Sequence, residues 1–291
     1  MSPAPPAGPG ALPPAGEGRL LRALSAPALS RLTGRLADAR LPGPLLRAAI
    51  RVYSRACGVD WSEVAEPIAA FPTFNAFFTR RLRAGARPVA AGPVVVSPSD
   101  SRLSALGPVP PDGRLEQVKG RTYSLEALLG AAEEAAPYRR GVYATLYLSP
   151  AMYHRVHAPV DGRVRAWRYV PGRLFPVNER AVRTVDGLFA VNERVVVHVD
   201  TEAFGPVAVV LVGATNVGRI TLSFTDLATN AGRPPSRAEP PAPVPIARGD
   251  ELGAFNLGST VVLLVADAAL RPAGPSPGGL VWMGEALWRR D

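Results

Sequence analysis

The sequence predicts an α+β protein dominated by β structure, with amphipathic helices gathered towards its N-terminus. Three observations carry this reading. From about residue 94 onward, β-branched runs recur between Gly, Pro, Asp or Asn, among them VVVSP, GVYATLYLSP, RVVVHVD, VAVVLVGA, GRITLSF and STVVLLVAD. The 32 prolines and 28 glycines among 291 residues suit turns and loops better than a helix bundle. Apolar residues at helical spacing are concentrated between residues 18 and 57. At 47% hydrophobic residues the chain can bury a sizeable core, which argues against wholesale disorder.

In chain order, residues 1–17 are rich in Pro, Gly and Ala without periodicity, and a disordered tail is expected there. Residues 18–60 read as a helical segment. Leu29, Leu32 and Leu36 share helical spacing, as do Leu45, Leu46, Ala49, Ile50 and Tyr53, and Pro27 and Pro44 stand where first-turn prolines belong. Gly34 and Pro42 to Pro44 are expected to break the segment into short helices. Eight arginines and one acid, Asp38, lie between 18 and 57. That pattern fits an interfacial membrane helix and equally a surface helix docked on the core. The remaining domain, 61–291, starts helical and turns extended through FNAFFTRRLRAGARPV. Within its β region, YSLEALLGAAEEA (123–135) reads as a short helix. AGRPPSRAEPPAPVP (231–245), with seven prolines or glycines, reads as a loop or flexible linker. HAPVDGRVRAW (157–167) and IARGDELGAFNLGSTVVLL (246–264) look like the halves of a barrel-sandwich hybrid of the lipoyl/biotinyl type, in which short strands close a flattened barrel.

Composition narrows the chemistry. The net charge of +9 implies acidic partners: nucleic acid, anionic lipid or a phosphorylated substrate. The basic residues lack the interleaved aromatics that stack bases, which counts against nucleic acid. Of the 33 basic residues, Lys119 is the only lysine, so pyridoxal phosphate, biotin or lipoate would have a single attachment candidate. Cys57 is the only cysteine, which excludes an intrachain disulfide and a cysteine-rich zinc site and fits a reducing interior. The N-terminus lacks the basic and apolar regions of a signal peptide. Apolar runs such as VAVVLVGA (207–214) fall short of the roughly 18 residues a membrane span needs.

The residues able to carry chemistry are few. His154 and His157 stand three apart in YLSPAMYHRVHAPV, and His198 lies in VVVHVD. The pair suits acid–base work, a structural role, or a metal if a third ligand joined it. Asp100, in VVVSPSDSRL, is by itself most simply a turn residue. Ser259 follows Gly258 at the head of an apolar strand, without the G-x-S-x-G elbow of an α/β-hydrolase. A Gly-Ser bond on a tight turn is also the arrangement for an intramolecular acyl shift, because glycine tolerates strained backbone.

Taken together, these segments resemble the phosphatidylserine decarboxylase family, whose members depend on a pyruvoyl group and cleave themselves. The resemblance runs from about Phe71 to Ala266. It rests on FNAFFTRRLRAGARPV (74–89), SPSD (97–100), VKGRTYSLEALLG (118–130), YLSPAMYHRVHAPVDGRV (147–164), GRLFPVN (172–178), LFAVNERVV (188–196), VGATNVGRI (212–220) and GDELGAFNLGSTVVLL (249–264). YHRVHAPV and LGST are its most specific pair. The chain departs from the family pattern at Ser101, where Gly is common. It departs again at Met152, where an acid or amide often precedes the Tyr-His pair, and at Arg219, where a small residue is usual.

The resemblance implies a relay of Asp100, His157 and Ser259 that drives attack of Ser259 Oγ on the Gly258 carbonyl. β-Elimination of the resulting ester would leave a β chain, 1–258, and an α chain, 259–291, headed by a pyruvoyl group made from Ser259. That ketone would take the substrate amine as a Schiff base and accept the electrons released with carbon dioxide, a task that the scarcity of lysine makes unlikely for pyridoxal phosphate. His154 matches the family position for protonation, and phosphatidylserine would become phosphatidylethanolamine. Arg80, Arg81 and Arg87 are candidates for the lipid phosphate, or are solvated surface arginines. The implied partners are phosphatidylserine and an anionic membrane surface, not nucleic acid. The implied assembly is a β/α heterodimer, with a homodimer of that unit compatible, peripheral on the cytoplasmic face of the cell membrane. The basic 18–60 segment would be the anchor. The competing readings are a pyruvoyl decarboxylase of another serine phospholipid, a Ser-His-Asp hydrolase, and a non-enzymatic lipid- or nucleic-acid-binding module.

Overall fold

The computed structural model describes residues 27–215, 219–256 and 259–291. The expected tail, 1–17, the first part of the expected helical segment, 18–26, and Gly258 lie outside these residues. Helix α1 spans Pro27–Asp38 and α2 spans Gly43–Cys57. Both first-turn prolines are where their fixed φ and missing N–H do no harm. The break falls at residues 39–42, just before the first turn that holds Pro44, whereas Gly34 sits inside α1. A single glycine weakens a helix by only about 1 kcal/mol relative to alanine, which packing can offset. Helix α2 stops at Gly58, whose φ of 77° closes the end through its N–H to the Ser54 carbonyl. Its Leu46 and Ile50 pack with Val59, Val64, Phe71 and Phe77 in a small apolar cluster, with Cys57 against it. Of the stretch expected to start helical, only α3, Phe74–Phe78, and a single 3₁₀ turn at Ile68–Ala70 are helical; Thr73 caps α3 by accepting from the Ala76 N–H.

Thereafter strands dominate: β1 Val94–Val96, β2 Ser101–Pro108, β3 Arg114–Val118, β4 Arg121–Ser124, β5 Val142–Leu148, β6 Arg155–His157, β7 Gly162–Val170, β8 Arg194–Thr201 and β9 Gly205–Gly213. They continue through β10 Arg219–Leu222, β11 Ser236–Ala238, β12 Val244–Ile246, β13 Glu251–Asn256, β14 Ser259–Val265, β15 Arg271–Pro272, β16 Leu280–Val281 and β17 Ala286–Arg289. The helix expected over 123–135 is two, α4 Leu125–Leu129 and α5 Ala132–Ala135, separated by Gly130 at φ 84°. Two more, α6 Glu179–Thr184 and α7 Leu188–Val191, lie between β7 and β8.

The largest sheet has nine antiparallel strands in the order β11-β7-β8-β9-β14-β5-β2-β16, with β12 sharing the β7 edge with β11. The fold is therefore α+β and β-dominated. The segments 157–167 and 246–264 do pair, through β12 on β7 and β13 on β6. Their strands stay in open sheets, and no closed barrel forms among the described residues. The expected loop 231–245 contributes β11 and part of β12. Their three-residue pairings are too short to show a period, and Pro245 is tolerated because β12 is an edge strand. Strand β14 lies between β9 and β5, and all seven of its residues are buried. A strand covered on both faces reads as an unbroken apolar run, here TVVLLV.

Candidate active site

The antiparallel order brings the expected residues to one end of the central strands. Ser259 opens β14 opposite Leu148, the last residue of β5, and Gly213, the last of β9. Asp100 immediately precedes β2. From Leu148 the chain crosses to β6, which is tied to the same end by two backbone bonds. The His157 N–H donates to the Pro98 carbonyl at 2.8 Å, and the Phe255 N–H donates to the His154 carbonyl at 2.9 Å. Backbones approach tightly beside Ser259. A Cβ on Gly213 would lie 3.2 Å from the Glu193 carbonyl oxygen and 3.0 Å from Leu174.

Ser259 is fully buried and its Oγ has no hydrogen-bond partner. The same is true of the neighbouring Thr260 Oγ1, so the head of β14 carries two buried hydroxyls without a partner. His154 is also fully buried. Its Nδ1–H donates to the Met152 carbonyl at 2.8 Å, so in the neutral ring Nε2 carries a bare lone pair, and that atom too has no partner. The ring packs on Phe78 at 4.2 Å between centroids. Burial pushes its pKa down to about 3, aided by the nearby Arg80 cation, although the Met152 bond pulls the other way. His157 is neutral for the same reason, burial holding it below its usual range. Its Nδ1–H donates to the Gly249 carbonyl at 2.7 Å, and its Nε2 accepts from the Tyr153 hydroxyl at 3.1 Å. Gly249 has a φ of 92°, where a side chain would be strained and would meet Val89 at 2.9 Å, so this carbonyl is positioned by a residue that must be glycine.

Asp100 is not bonded to His157. Its carboxylate accepts from Arg87 Nε at 2.9 Å, from Arg87 Nη2 at 2.7 Å and from the Met283 N–H at 2.9 Å. Arg87 also holds Glu63 through Nη1 and Nη2, each at 2.7 Å. Burial works against the Arg87 charge, but the two carboxylates more than offset it and hold its pKa above the ordinary value. All the nitrogens of Arg87 are thus engaged inside the protein. Replacing Arg87 by Gln should remove about 3–5 kcal/mol of stability, because it strands the Asp100 charge, whose side chain is only 2% exposed. A drop in the midpoint of chemical unfolding, with slower chain cleavage, is the expected result.

The other two arginines differ. Arg81 is exposed. Arg80 is 4% exposed, donates through Nη2 to the Ala151 carbonyl at 2.8 Å, and lies 5.3 Å over the Phe77 ring, while Nε and Nη1 have no partner. Burial lowers its pKa. A buried guanidinium with free donors and no bonded carboxylate is poised for an anion. His198 stands apart in β8, its Nε2 3.1 Å from Glu134, which also pairs with Arg168 and Arg237. Among the described residues, no group of three or more His, Cys, Asp or Glu is placed to hold a metal ion. Sequence reasoning did not single out Tyr153, Gly249, Glu63 or Met283. Tyr153 carried a signal as the residue preceding His154, and Gly249 as the first residue of GDELG.

The fold and this site define a β-rich protein that keeps a partnerless serine, two neutral histidines and a clamped aspartate out of water. Residues 74–289 match the family described as phosphatidylserine decarboxylase. A protein of Anaeromyxobacter sp. (strain K) named phosphatidylserine decarboxylase proenzyme is 48% identical over 276 residues, covering 92% of this chain and 95% of that protein. Proteins of the same name from Myxococcus xanthus and Bordetella avium are 43% and 46% identical, covering 84% and 89% of this chain and 88% and 89% of theirs. The chain belongs to the phosphatidylserine decarboxylase family.

Proposed function

We propose that this protein is a self-cleaving carboxy-lyase that converts phosphatidylserine to phosphatidylethanolamine with a pyruvoyl group made from Ser259. Besides the family, one observation supports it most: a fully buried serine hydroxyl, bonded to nothing, directly after Gly258. That orphaned atom is what a residue awaiting covalent conversion would show, so the site fits the group. Once formed, the group would supply an electron sink for the α-carbon that loses carbon dioxide.

The chain's own residues do the rest. In maturation, His157 is the base for Ser259. Being neutral, it can take a proton at Nε2 near pH 7, and the Tyr153 hydroxyl on that nitrogen must turn aside or pass the proton on. The Gly249 carbonyl fixes its tautomer, the task an aspartate performs in a serine-hydrolase triad. Glu251 and, more weakly, Asp100 act on His157 across space, as negative charges that favour the imidazolium. In turnover, His154 Nε2 delivers a proton to the α-carbon after carbon dioxide has left, its charged form being favoured only once the anionic groups of the substrate lie beside it. Arg80 meets an anionic oxygen of the substrate with its free Nε and Nη1. After cleavage the 33 residues 259–291 stay bound, because β14 remains zipped between β5 and β9, β16 on β2 and β17 on β1.

Exposed apolar side chains on α1 and α2 support peripheral docking on the cytoplasmic face of an anionic membrane. Leu36 is 63% and Leu45 56% exposed, among arginines suited to anionic lipid. No helix among the described residues is long and apolar enough to cross a membrane. The double variant Leu45→Glu, Val52→Glu, both exposed on α2, should lose sedimentation with phosphatidylserine/phosphatidylcholine vesicles. It should keep its cleavage and its rate on a short-chain soluble substrate.

The function is tested by intact mass spectrometry followed by assay on phosphatidylserine vesicles. Two chains dividing after Gly258, the smaller one blocked at its N-terminus, with release of carbon dioxide, are expected. A folded, uncut chain that is labelled at Ser259 by a fluorophosphonate would instead make it a serine hydrolase.

A further inference from the structure

We propose that the cleft beneath α1 binds the phosphodiester of a phospholipid headgroup, with Arg219, Arg31 and Arg35 as its cationic wall. This rests on the phospholipid reading of the function and adds the site at which the headgroup is held. The cleft has a volume of about 500 Å³, within the usual range for a small-molecule site. Arg31 and Arg35 stand one turn apart on α1, and Arg219 opens β10 on the opposite side.

Two donors in the cleft are left over by the protein itself. Asn230 is 6% exposed and its Nδ2 has no partner. It is held at a φ of 57°, the only positive value among described non-glycine residues, by its N–H to Glu193 Oε1 at 2.8 Å. Glu193 is itself buried and fixed by the Tyr169 hydroxyl at 2.5 Å. The asparagine is thus locked with its amide unused, which is costly unless something arrives to accept from it. Arg219 Nε is the second unpartnered donor. Its Nη2 reaches Asp38 at 3.2 Å, which keeps the guanidinium in place. Three guanidinium groups against the carboxylates of Asp38 and, behind Asn230, Glu193 still leave the lining positive.

The position says which anion. Arg219 is paired in register with Asn256, which lies two residues before Gly258, so the cleft adjoins the bond that Ser259 is expected to cleave. The helix that supplies Arg31 and Arg35 also exposes Leu32 and Leu36. A headgroup entering here would leave its acyl chains beside apolar side chains and its reactive end near Ser259. A phosphodiester offers two free oxygens to guanidinium forks. Arg80, beside His154, is left for the carboxylate of the headgroup.

The test uses the full-length, matured enzyme and probes that it does not turn over: dihexanoyl phosphatidylethanolamine, glycerophosphoethanolamine and inorganic phosphate, each titrated by calorimetry. In Arg219→Gln and in Arg35→Gln, affinity for the short-chain lipid should fall about tenfold or more, the effect of losing a charged hydrogen bond. KM for short-chain phosphatidylserine should rise with kcat nearly unchanged, and cleavage should be complete. Arg219→Lys, which keeps the charge but not the fork, should recover only part of the loss. Unchanged affinity in both glutamine variants overturns the proposal. Inorganic phosphate binding as tightly as the short-chain lipid overturns it in favour of a free-phosphate site. Wild-type protein that binds the lipid through Arg219 but does not decarboxylate phosphatidylserine overturns the functional reading and leaves this site standing.

Discussion

Ser259→Ala remains a single chain of 291 residues, releases no carbon dioxide from phosphatidylserine, and folds without penalty. The loss is total because the serine supplies both the nucleophile for cleavage and the atoms of the cofactor. The absence of a folding penalty follows from its surroundings. The Oγ is buried without a partner, so its removal forfeits no hydrogen bond and relieves a desolvated hydroxyl worth about 1–3 kcal/mol. The proper reference is a second uncut chain, His157→Ala, which loses bonds to Gly249 and Tyr153. Thermal unfolding should place Ser259→Ala above His157→Ala. If Ser259→Ala still divides after residue 258, serine is not the nucleophile. If it melts well below His157→Ala, the hydroxyl is a structural group and the argument from its isolation fails.

The parts of the fold that were legible in sequence are those with strong local signals. Pro27 and Pro44 marked helix starts, and the run VVLLV marked an apolar strand. Gly34 misled because a glycine only weakens a helix, while contacts made elsewhere decide whether the helix ends there. β11 and β12 were hidden in a proline-rich stretch because three-residue edge strands take their order from β7 rather than from their own sequence. The open sheets have a similar cause. Their likeness to the halves of a barrel-sandwich hybrid marked 157–167 and 246–264 as partners, but whether strands close into a barrel depends on pairings across the whole chain.

The site was legible as a set of residues and illegible as a network. Asp100, His157 and Ser259 converge on one end of the sheet, but the bond between Asp100 and His157 is replaced by Arg87, Glu63 and the Met283 N–H on one side and by Gly249 and Tyr153 on the other. No spacing rule announces a backbone carbonyl or amide as a partner, since every residue carries one. The three arginines grouped by sequence separate for the same reason. Arg87 faces two carboxylates, Arg81 faces solvent, and Arg80 is enclosed with two nitrogens free. Only burial tells them apart.

His154→Gln should lower the rate of decarboxylation per matured site by about 10²–10⁴-fold, the usual worth of a positioned proton carrier. Normalising to the fraction of cleaved chain separates this from any defect in maturation. The same residue makes stability depend on acid. Its native pKa of about 3 lies below the ordinary 6.5, so the unfolded chain binds a proton that the folded chain refuses. Stability therefore falls as pH drops from 6.5 towards about 3, by an amount reaching several kcal/mol. Glutamine has no such proton to gain, so unfolding of His154→Gln should vary less across that interval than unfolding of the wild type. With three histidines in the chain, ring-nitrogen NMR of the uncut Ser259→Ala protein can follow each one. The Nε2 of His154 should keep the shift of an unprotonated nitrogen down to about pH 5. Titration near 6.5 would mean that water reaches the ring. His154 would then be an ordinary solvated base, and its enclosure against Phe78 would not be what keeps Nε2 unprotonated until substrate arrives.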